Sequence, residues 1–165
     1  MIIRPDSRFL LAHPAHFIAL GFGTGLAPVA PGTVGTLLAY PLYQVLAPYL
    51  SSMELFGVIV LFFLLGVWAC ELTGRAMGIA DHSSMVWDEV VAMLLILLVI
   101  PAGVYWWIAA FFLFRFFDVF KPQPIRYFDQ TLKGGFGVMF DDIVAAFYTL
   151  LVLALIHRIF PGFLQ

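Results

Sequence analysis

The chain has 165 residues, of which 63% are hydrophobic, 17% aromatic and only 11% charged. A water-soluble protein needs a polar surface, and eight basic with ten acidic residues cannot supply one, so the composition predicts a polytopic membrane protein. The net charge of -2 offers no basic surface for nucleic acid, and a single cysteine excludes a disulfide framework or a cysteine-based metal site.

The N-terminal third predicts one short apolar segment followed by one membrane crossing. Residues 13–30 are apolar but interrupted by glycines and prolines, which suits an interfacial or re-entrant segment better than a full span. Thr33 follows a Pro-Gly pair and is expected to cap a helix that continues to Leu50. No Asp, Glu, Lys or Arg occurs in residues 9–53, so no charge interrupts this crossing.

Four more apolar segments follow, at about residues 55–72, 85–100, 105–120 and 138–160. The segment at 85–100 is short for a crossing unless its polar start lies among the lipid headgroups. The predicted fold is therefore all-α, a polytopic membrane helical bundle of about five transmembrane helices plus the N-terminal interfacial or re-entrant segment. We expect residues 1–165 to form a single membrane-embedded domain.

Basic residues are distributed unevenly between the two faces of this five-helix arrangement. One face receives most of the basic residues: Arg4, Arg8, Arg75, Lys121, Arg126 and Lys133, with Arg115 close by. The opposite face receives only Arg158. By the positive-inside rule the basic face is cytoplasmic. The same face receives the Gly-rich N-terminal segment and most of the acidic residues, so the candidate chemical groups converge there.

Five carboxylates lie at the cytoplasmic ends of three predicted helices: Asp88, Glu89, Asp118, Asp141 and Asp142. Near the bilayer centre each acid would cost about 2.5 to 3.5 kcal/mol, and less near the interface. Five together predict a bound cation, and oxygen ligands without thiols favour magnesium, with manganese as the next choice. The alternative for all but Asp118 is that they complement helix dipoles, at roughly 0.3 to 1 kcal/mol each. Asp118 lies near a helix C-terminus, where the dipole disfavours an anion.

Arg115, Asp118 and Lys121 are three residues apart and share one helix face. One interpretation is a buried ion pair with a lysine that extends to the interface. The functional interpretation is that Asp118 binds a metal while Arg115 and Lys121 bind a phosphate, because guanidinium groups suit paired oxygen atoms. Arg126 could assist in phosphate binding.

Three further features have both a functional and a structural interpretation. The segment GFGTGLAPVAPGT ends at a predicted helix N-terminus, where Gly32 and Thr33 could bind phosphate through backbone amides, or where a re-entrant turn could simply end. His82 could be an acid or base, although a solvated loop histidine is the commoner case. Glu71 and Arg75 have the i,i+4 spacing of an ion pair at a helix end.

Four ordered motifs, GFGTGLAPVAPGTVGT, DHSSMVWDE, RFFDVFKPQPIRYFD and GGFGVMFDDIVAA, resemble the phosphatidylglycerophosphatase A family of bacterial inner-membrane lipid phosphatases. The resemblance covers about residues 13–146. It implies magnesium-dependent removal of the terminal phosphate from phosphatidylglycerophosphate, giving phosphatidylglycerol in phospholipid biosynthesis. By position, the acidic and basic motif residues of the family fall on Asp88, Glu89, Arg115, Asp118, Lys121, Arg126, Asp141 and Asp142.

The predicted catalytic residues are Asp118, Arg115, Lys121, Asp142 and His82. In this hypothesis magnesium polarises the phosphate and activates water, the basic residues stabilise the transferred charge, and a carboxylate or His82 moves protons. A covalent aspartyl-phosphate on Asp118, Asp141 or Asp142 is the alternative to direct attack by water.

Three other functions compete with this one. A transport protein could use the acids as a path for divalent cations, although their clustering at one face disfavours it. A phosphotransferase acting on a nucleotide-activated lipid would be expected to carry a DGxxAR pattern, which is missing from the sequence. A third alternative is a non-enzymatic assembly subunit with charged helix ends, for which Asp118→Asn would leave any phosphatase activity unchanged.

Overall fold

The computed structural model describes residues 5–160, apart from the side chain of Asp129. Arg4, one of the basic residues of the predicted cytoplasmic face, lies outside the described residues. Of the residues that the structure describes, 79% are helical, and none of them lies in a strand. The prediction of an all-α fold is therefore confirmed.

Eight α-helices and one short 3-10 helix make up the fold within residues 5–160. The α-helices are α1 (Ser7–Ala12), α2 (Pro14–Ala19), α3 (Pro31–Leu46), α4 (Ser52–Met77), α5 (Trp87–Val99), α6 (Val104–Phe120), α7 (Ile125–Thr131) and α8 (Gly134–Ile159). The 3-10 helix, at Gly21–Leu26, separates α2 from α3. Each of the five apolar segments predicted to be membrane helices overlaps one of α3, α4, α5, α6 and α8.

Local sequence explains where α3 and α4 begin. Ser51 caps α4 through a reciprocal pair of hydrogen bonds with Glu54, and Gly78, in the left-handed conformation, ends it. The expectation that Thr33 caps α3 is wrong, because Ala30 is the cap residue and Pro31 occupies the first turn. Proline is favoured there because its missing N–H would have no partner in the helix. Thr33 therefore lies inside the first turn.

The start of α8 differs from its predicted position in a way that matters for the acids. The helix begins at Gly134, so Asp141 and Asp142 lie about two turns inside it rather than in its first turn. The helix dipole acts mainly within the first turn, so it does not account for these two carboxylates. Asp88 and Glu89, in contrast, lie in the first turn of α5, as predicted.

Helix α5 occupies the centre of the bundle. It packs against α3, α4, α6 and α8, and every residue from Trp87 to Leu94 is buried. Its 13 residues span about 20 Å, less than the roughly 30 Å hydrocarbon core of a bilayer. Because other helices surround this part of α5, residues Trp87 to Leu94 contact protein, whereas Val99 near the end of the helix is 60% exposed.

Two helices of the described range, α4 and α8, are long and apolar enough to cross a membrane by length and composition. Only 28% and 39% of their most apolar windows are buried, unlike the core helix of a soluble protein. The other three helices have 16, 13 and 17 residues, so the five-span arrangement is not established by this criterion.

Candidate active site

Three carboxylates meet in the interior where α5 and α8 pack together. Asp88, Glu89 and Asp142 each offer an oxygen, and these oxygens lie within 4.8 Å of one another. The three residues are only 9%, 8% and 3% exposed. Each also has one buried oxygen without a hydrogen-bond partner, namely Asp88 Oδ1, Glu89 Oε2 and Asp142 Oδ2.

This cluster has the donor atoms that a hard divalent cation needs. Buried polar atoms in folded proteins normally have a partner, and buried like charges repel one another. Three carboxylates with unpartnered oxygens are therefore unfavourable by themselves. A cation between them would give the oxygens a partner and offset the repulsion. The set contains no thiol or imidazole group, which fits magnesium or manganese better than zinc.

Arg115 connects this cluster to Asp118. Its Nη1 lies 2.5 Å from Asp118 Oδ2 and 3.4 Å from Glu89 Oε1. Asp118 and Arg115 are on α6, whereas Glu89 is on α5, so the guanidinium bridges two helices. Asp118 lies in the last turn of its helix, as predicted, but its described contact is with Arg115 and it is not one of the three mutually close acids. The arrangement holds one edge of the guanidinium against the cluster.

A second basic group lies beside the other acid of α8. Lys121 Nζ donates a hydrogen bond to Asp141 Oδ2 at 2.5 Å. Lys121 ends α6 with a left-handed backbone (φ 43°), so its side chain leaves the helix in a different direction from that of Arg115. Consecutive residues of a helix point about 100° apart, which explains why Asp142 faces the acid cluster while Asp141 faces Lys121.

The N-terminus of α3 approaches the same site. A Cβ atom added to Gly32 would collide with Glu89 Oε1 and lie 3.2 Å from both Nη1 and Nη2 of Arg115. Only glycine therefore allows the helix end to come this close. Thr33, half-buried in the same first turn, lies next to Gly32 in the chain.

Two predicted site residues have different surroundings. His82 is half-buried, and its Nδ1 accepts a hydrogen bond from the amide of Ser84 at 3.1 Å, which stabilises the turn before α5. Of the two ring nitrogens of His82, only Nε2 would then be available for proton transfer. Arg126 is exposed near the start of α7. The described contacts do not join either side chain to the acid cluster.

Comparison with known proteins relates this geometry to a family. The family model for Phosphatidylglycerophosphatase A matches residues 17–157. A protein of that name from Haemophilus influenzae is 46% identical over 149 residues, covering 90% of this chain and 91% of the relative. Another from Escherichia coli is 40% identical over 157 residues, covering 94% and 90%.

The chain belongs to the phosphatidylglycerophosphatase A family. The family and the enzyme class predicted from the sequence, a lipid phosphatase, are thus both confirmed. A Bacteroides thetaiotaomicron relative, 40% identical over 144 residues and covering 83% of this chain and 89% of its own length, is named a putative phosphatidylinositol-3-phosphatase. No solved structure matches the chain.

In this member of the phosphatidylglycerophosphatase A family, one polar contact near the site has no counterpart among the sequence predictions. Glu71 and Arg75 form the predicted ion pair, with 2.7 Å between Oε1 and Nη2. The other carboxylate oxygen of Glu71, on α4, accepts a hydrogen bond from the amide of Gly135 at 2.7 Å. No side chain of α8 caps its own N-terminus, so Glu71 does so from a neighbouring helix. The sequence carries no local signal for this contact, because the pair Gly134-Gly135 predicts a loop rather than the start of a helix.

Proposed function

We propose that the chain is a magnesium-dependent phosphatase that hydrolyses phosphatidylglycerophosphate to phosphatidylglycerol and phosphate, in phospholipid biosynthesis. The observation that carries the proposal is the buried cluster of Asp88, Glu89 and Asp142 beside the guanidinium of Arg115, in a chain of this family. Metal ligands beside a basic side chain are a recurring arrangement in enzymes that transfer phosphoryl groups.

The proposed metal ligands are Asp88, Glu89 and Asp142, with Asp118 and Asp141 as further candidates from the sequence. The three unpartnered oxygens and the all-oxygen donor set fit magnesium. A magnesium ion held there would supply Lewis-acid stabilisation of phosphoryl charge.

The basic residues of the site bind and orient the phosphate in this proposal. Arg115 donates N–H groups to phosphoryl oxygens, and Asp118 holds the guanidinium in place. Lys121, held by Asp141, neutralises a further oxygen. The amides of Gly32 and Thr33 at the start of α3 add donors that need no side chain. Arg126 is exposed and would contact the headgroup only at the rim of the site.

Hydrolysis forms a bond between an attacking oxygen and phosphorus and breaks the bond between phosphorus and the glycerol oxygen, which must receive a proton. A carboxylate of the cluster or Nε2 of His82 is assigned to proton transfer. The attacking group is water, or alternatively the carboxylate of Asp118, Asp141 or Asp142, whose aspartyl-phosphate a water molecule would then hydrolyse. Label from heavy-oxygen water in an aspartate side chain after a single turnover would contradict direct attack by water.

We further propose that the protein is a single domain of residues 1–165 that crosses the bacterial inner membrane five times, through α3, α4, α5, α6 and α8. The N-terminal segment with α1 and α2 would lie at the interface. The proposed site is formed by the starts of α3 and α5, the end of α6 and the first turns of α8. Basic residues concentrate at these same ends, which supports a cytoplasmic location for the site.

The test is phosphate release by the purified protein in detergent micelles containing phosphatidylglycerophosphate, with magnesium, with manganese or with a chelator. Asp118→Asn and Asp142→Asn should lose activity, while Glu54→Gln, at an exposed acid in the cap of α4, should retain it. Phosphatidylinositol-3-phosphate is the comparison substrate, given the name of the Bacteroides relative. Metal-independent activity, or divalent-cation flux in liposomes without phosphate release, would refute the proposal.

A further inference from the structure

An apolar cavity of about 250 Å³ lies between α3 and α6. Its walls include Leu37 and Tyr40 of α3 and Val104, Ile108, Phe111 and Phe112 of α6. Ile108 and Phe112 are 49% and 67% exposed, so the cavity opens on the outside of the bundle, where a bilayer would supply lipid.

The wall formed by α6 continues the helix face that carries Arg115. Phe112 and Phe111 precede Arg115 by three and four residues, and Ile108 by seven, which are the spacings of neighbours on one side of an α-helix. The cavity therefore begins about one helical turn before Arg115 and extends toward the N-terminus of α6 along the same side of the helix.

The wall formed by α3 continues the face that carries Thr33 in the same way. Leu37 and Tyr40 follow Thr33 by four and seven residues. At the N-terminal end of α3, Gly32 closely approaches Arg115, so the start of α3 lies against the end of α6. Both walls thus lead to the groups proposed to bind phosphate.

A hydrogen bond fixes the two walls relative to each other deeper in the bundle. The hydroxyl of Tyr40 donates to the backbone carbonyl of Trp107 at 2.8 Å, and the two rings are 5.6 Å apart. The cavity is therefore a preformed space between two tied helices rather than a gap that would close when lipid leaves it.

We propose that this cavity holds one acyl chain of the lipid phosphate substrate while its phosphate lies against Arg115 and the start of α3. The inference rests on the proposed function. Lipid tails are as apolar as the cavity walls, so transfer of the chain from bilayer to cavity contributes little affinity. The benefit is orientation, because a chain fixed below the site aligns the phosphate above it.

A second apolar cavity, of about 270 Å³, shows why the first is assigned to the substrate. It lies between α4, α5 and α8, and its α8 wall is formed by Phe136, Phe140 and Ile143. No residue of α3 or α6 lines this second cavity, so its walls do not lead to Arg115 or to the start of α3, where the phosphate is proposed to bind. A chain there would not align the phosphate with these groups, so we assign this second cavity to ordinary bilayer lipid.

The experiment compares phosphatidylglycerophosphate carrying two oleoyl chains with the same headgroup carrying two hexanoyl chains. Ile108→Trp fills the proposed cavity and Val60→Trp fills the second one, while Ile108→Leu conserves volume. We expect Ile108→Trp to lower kcat/KM for the long-chain lipid by about tenfold or more and to leave the short-chain value within about twofold. Val60→Trp and Ile108→Leu should leave the ratio of the two values unchanged.

Equal effects of Ile108→Trp on both substrates, or a larger change of the ratio in Val60→Trp, would overturn the assignment. If Ile108→Trp fails to fold, Leu37→Trp fills the same cavity from α3 and decides the question. If the unmodified protein releases phosphate from neither lipid, the proposed function itself is refuted. If the unmodified protein is active but Ile108→Trp does not alter the ratio of long-chain to short-chain kcat/KM, only the assignment of the cavity is refuted. As a measurement independent of activity, a diazirine on the oleoyl chain should label residues 104–112, and unlabelled phosphatidylglycerophosphate but not phosphatidylcholine should suppress the label.

Discussion

Replacement of Asp142 by asparagine should stabilise the metal-free protein while abolishing its activity. The carboxylate oxygens of the cluster lie within 4.8 Å of one another, and two full charges at that separation repel by about 3.5 kcal/mol at an effective dielectric constant of about 20. The positive charge of Arg115 beside Glu89 offsets part of this repulsion, which leaves a net gain of about 1 to 3 kcal/mol when one carboxylate is neutralised. For a chain of this length that corresponds to a rise in melting temperature of about 2 to 12 °C.

Magnesium should reverse the order of stability. An ion at 100 times its dissociation constant stabilises the folded state by about 2.7 kcal/mol, which for this chain length raises the melting temperature by about 5 to 10 °C. The unmodified protein should show this shift, and Asp142→Asn should show little of it because one of three ligands has become a neutral amide.

The assay is thermal unfolding in detergent, in the presence of a chelator and then with increasing magnesium. Glu54→Gln serves as the matched control, since it also removes one acidic charge but lies outside the cluster. Equal magnesium shifts in Asp142→Asn and the unmodified protein, or a lower melting temperature of Asp142→Asn in the chelator, would refute the idea that the three acids share a cation.

Three other predictions concern the surroundings of the cluster. Arg115→Lys should lower kcat/KM for phosphate release by about 10- to 100-fold, because an ammonium group cannot reproduce the two-pronged contact of a guanidinium; unaltered kinetics would contradict its role. Glu71→Ala should lower the melting temperature by about 2 to 4 °C through loss of the cap on α8, as expected for about 1 kcal/mol, whereas Glu71→Gln should be milder. Burial, with the neighbouring His13, lowers the pKa of His16, whose Nδ1 is hydrogen-bonded to Thr73. The unfolded chain then binds the proton more tightly, so stability should fall as the pH drops below about 6.5 in thermal unfolding, and His16→Asn should flatten this dependence.

The helices themselves can be predicted from the sequence because long apolar runs and their Gly, Pro and Ser boundaries are local signals. Predicted boundaries are wrong where the signal is ambiguous, as at Thr33, where Pro31 begins the helix and Ala30 takes the cap position. The glycines before Asp141 predict a loop, because glycine normally disfavours a helix interior, yet α8 begins at Gly134. Its cap comes from Glu71, which is 64 residues away in the chain.

The candidate site can be predicted as a set of residue types on one face but not as a geometry. The sequence contains the pair Asp141 and Asp142 but not the rotation of α8, which turns one acid toward the cluster and the other toward Lys121. The sequence favours Asp118 as a metal ligand, whereas its described contact is the ion pair with Arg115. Distances between helices depend on packing across the whole bundle, and local patterns carry no information about them.

The division of the site among helices has a consequence for the synthesis of the chain. Asp88 and Glu89 emerge first, and the partner of Glu89, Arg115, follows 26 residues later. Until then the two acids have no cationic partner from α6, and each costs about 2.5 to 3.5 kcal/mol at bilayer depth, or less near the interface. Asp142 arrives only with the last helix. The nascent protein should therefore acquire its capacity to bind a cation late, when α8 packs against α5, and metal binding should favour this final step of assembly.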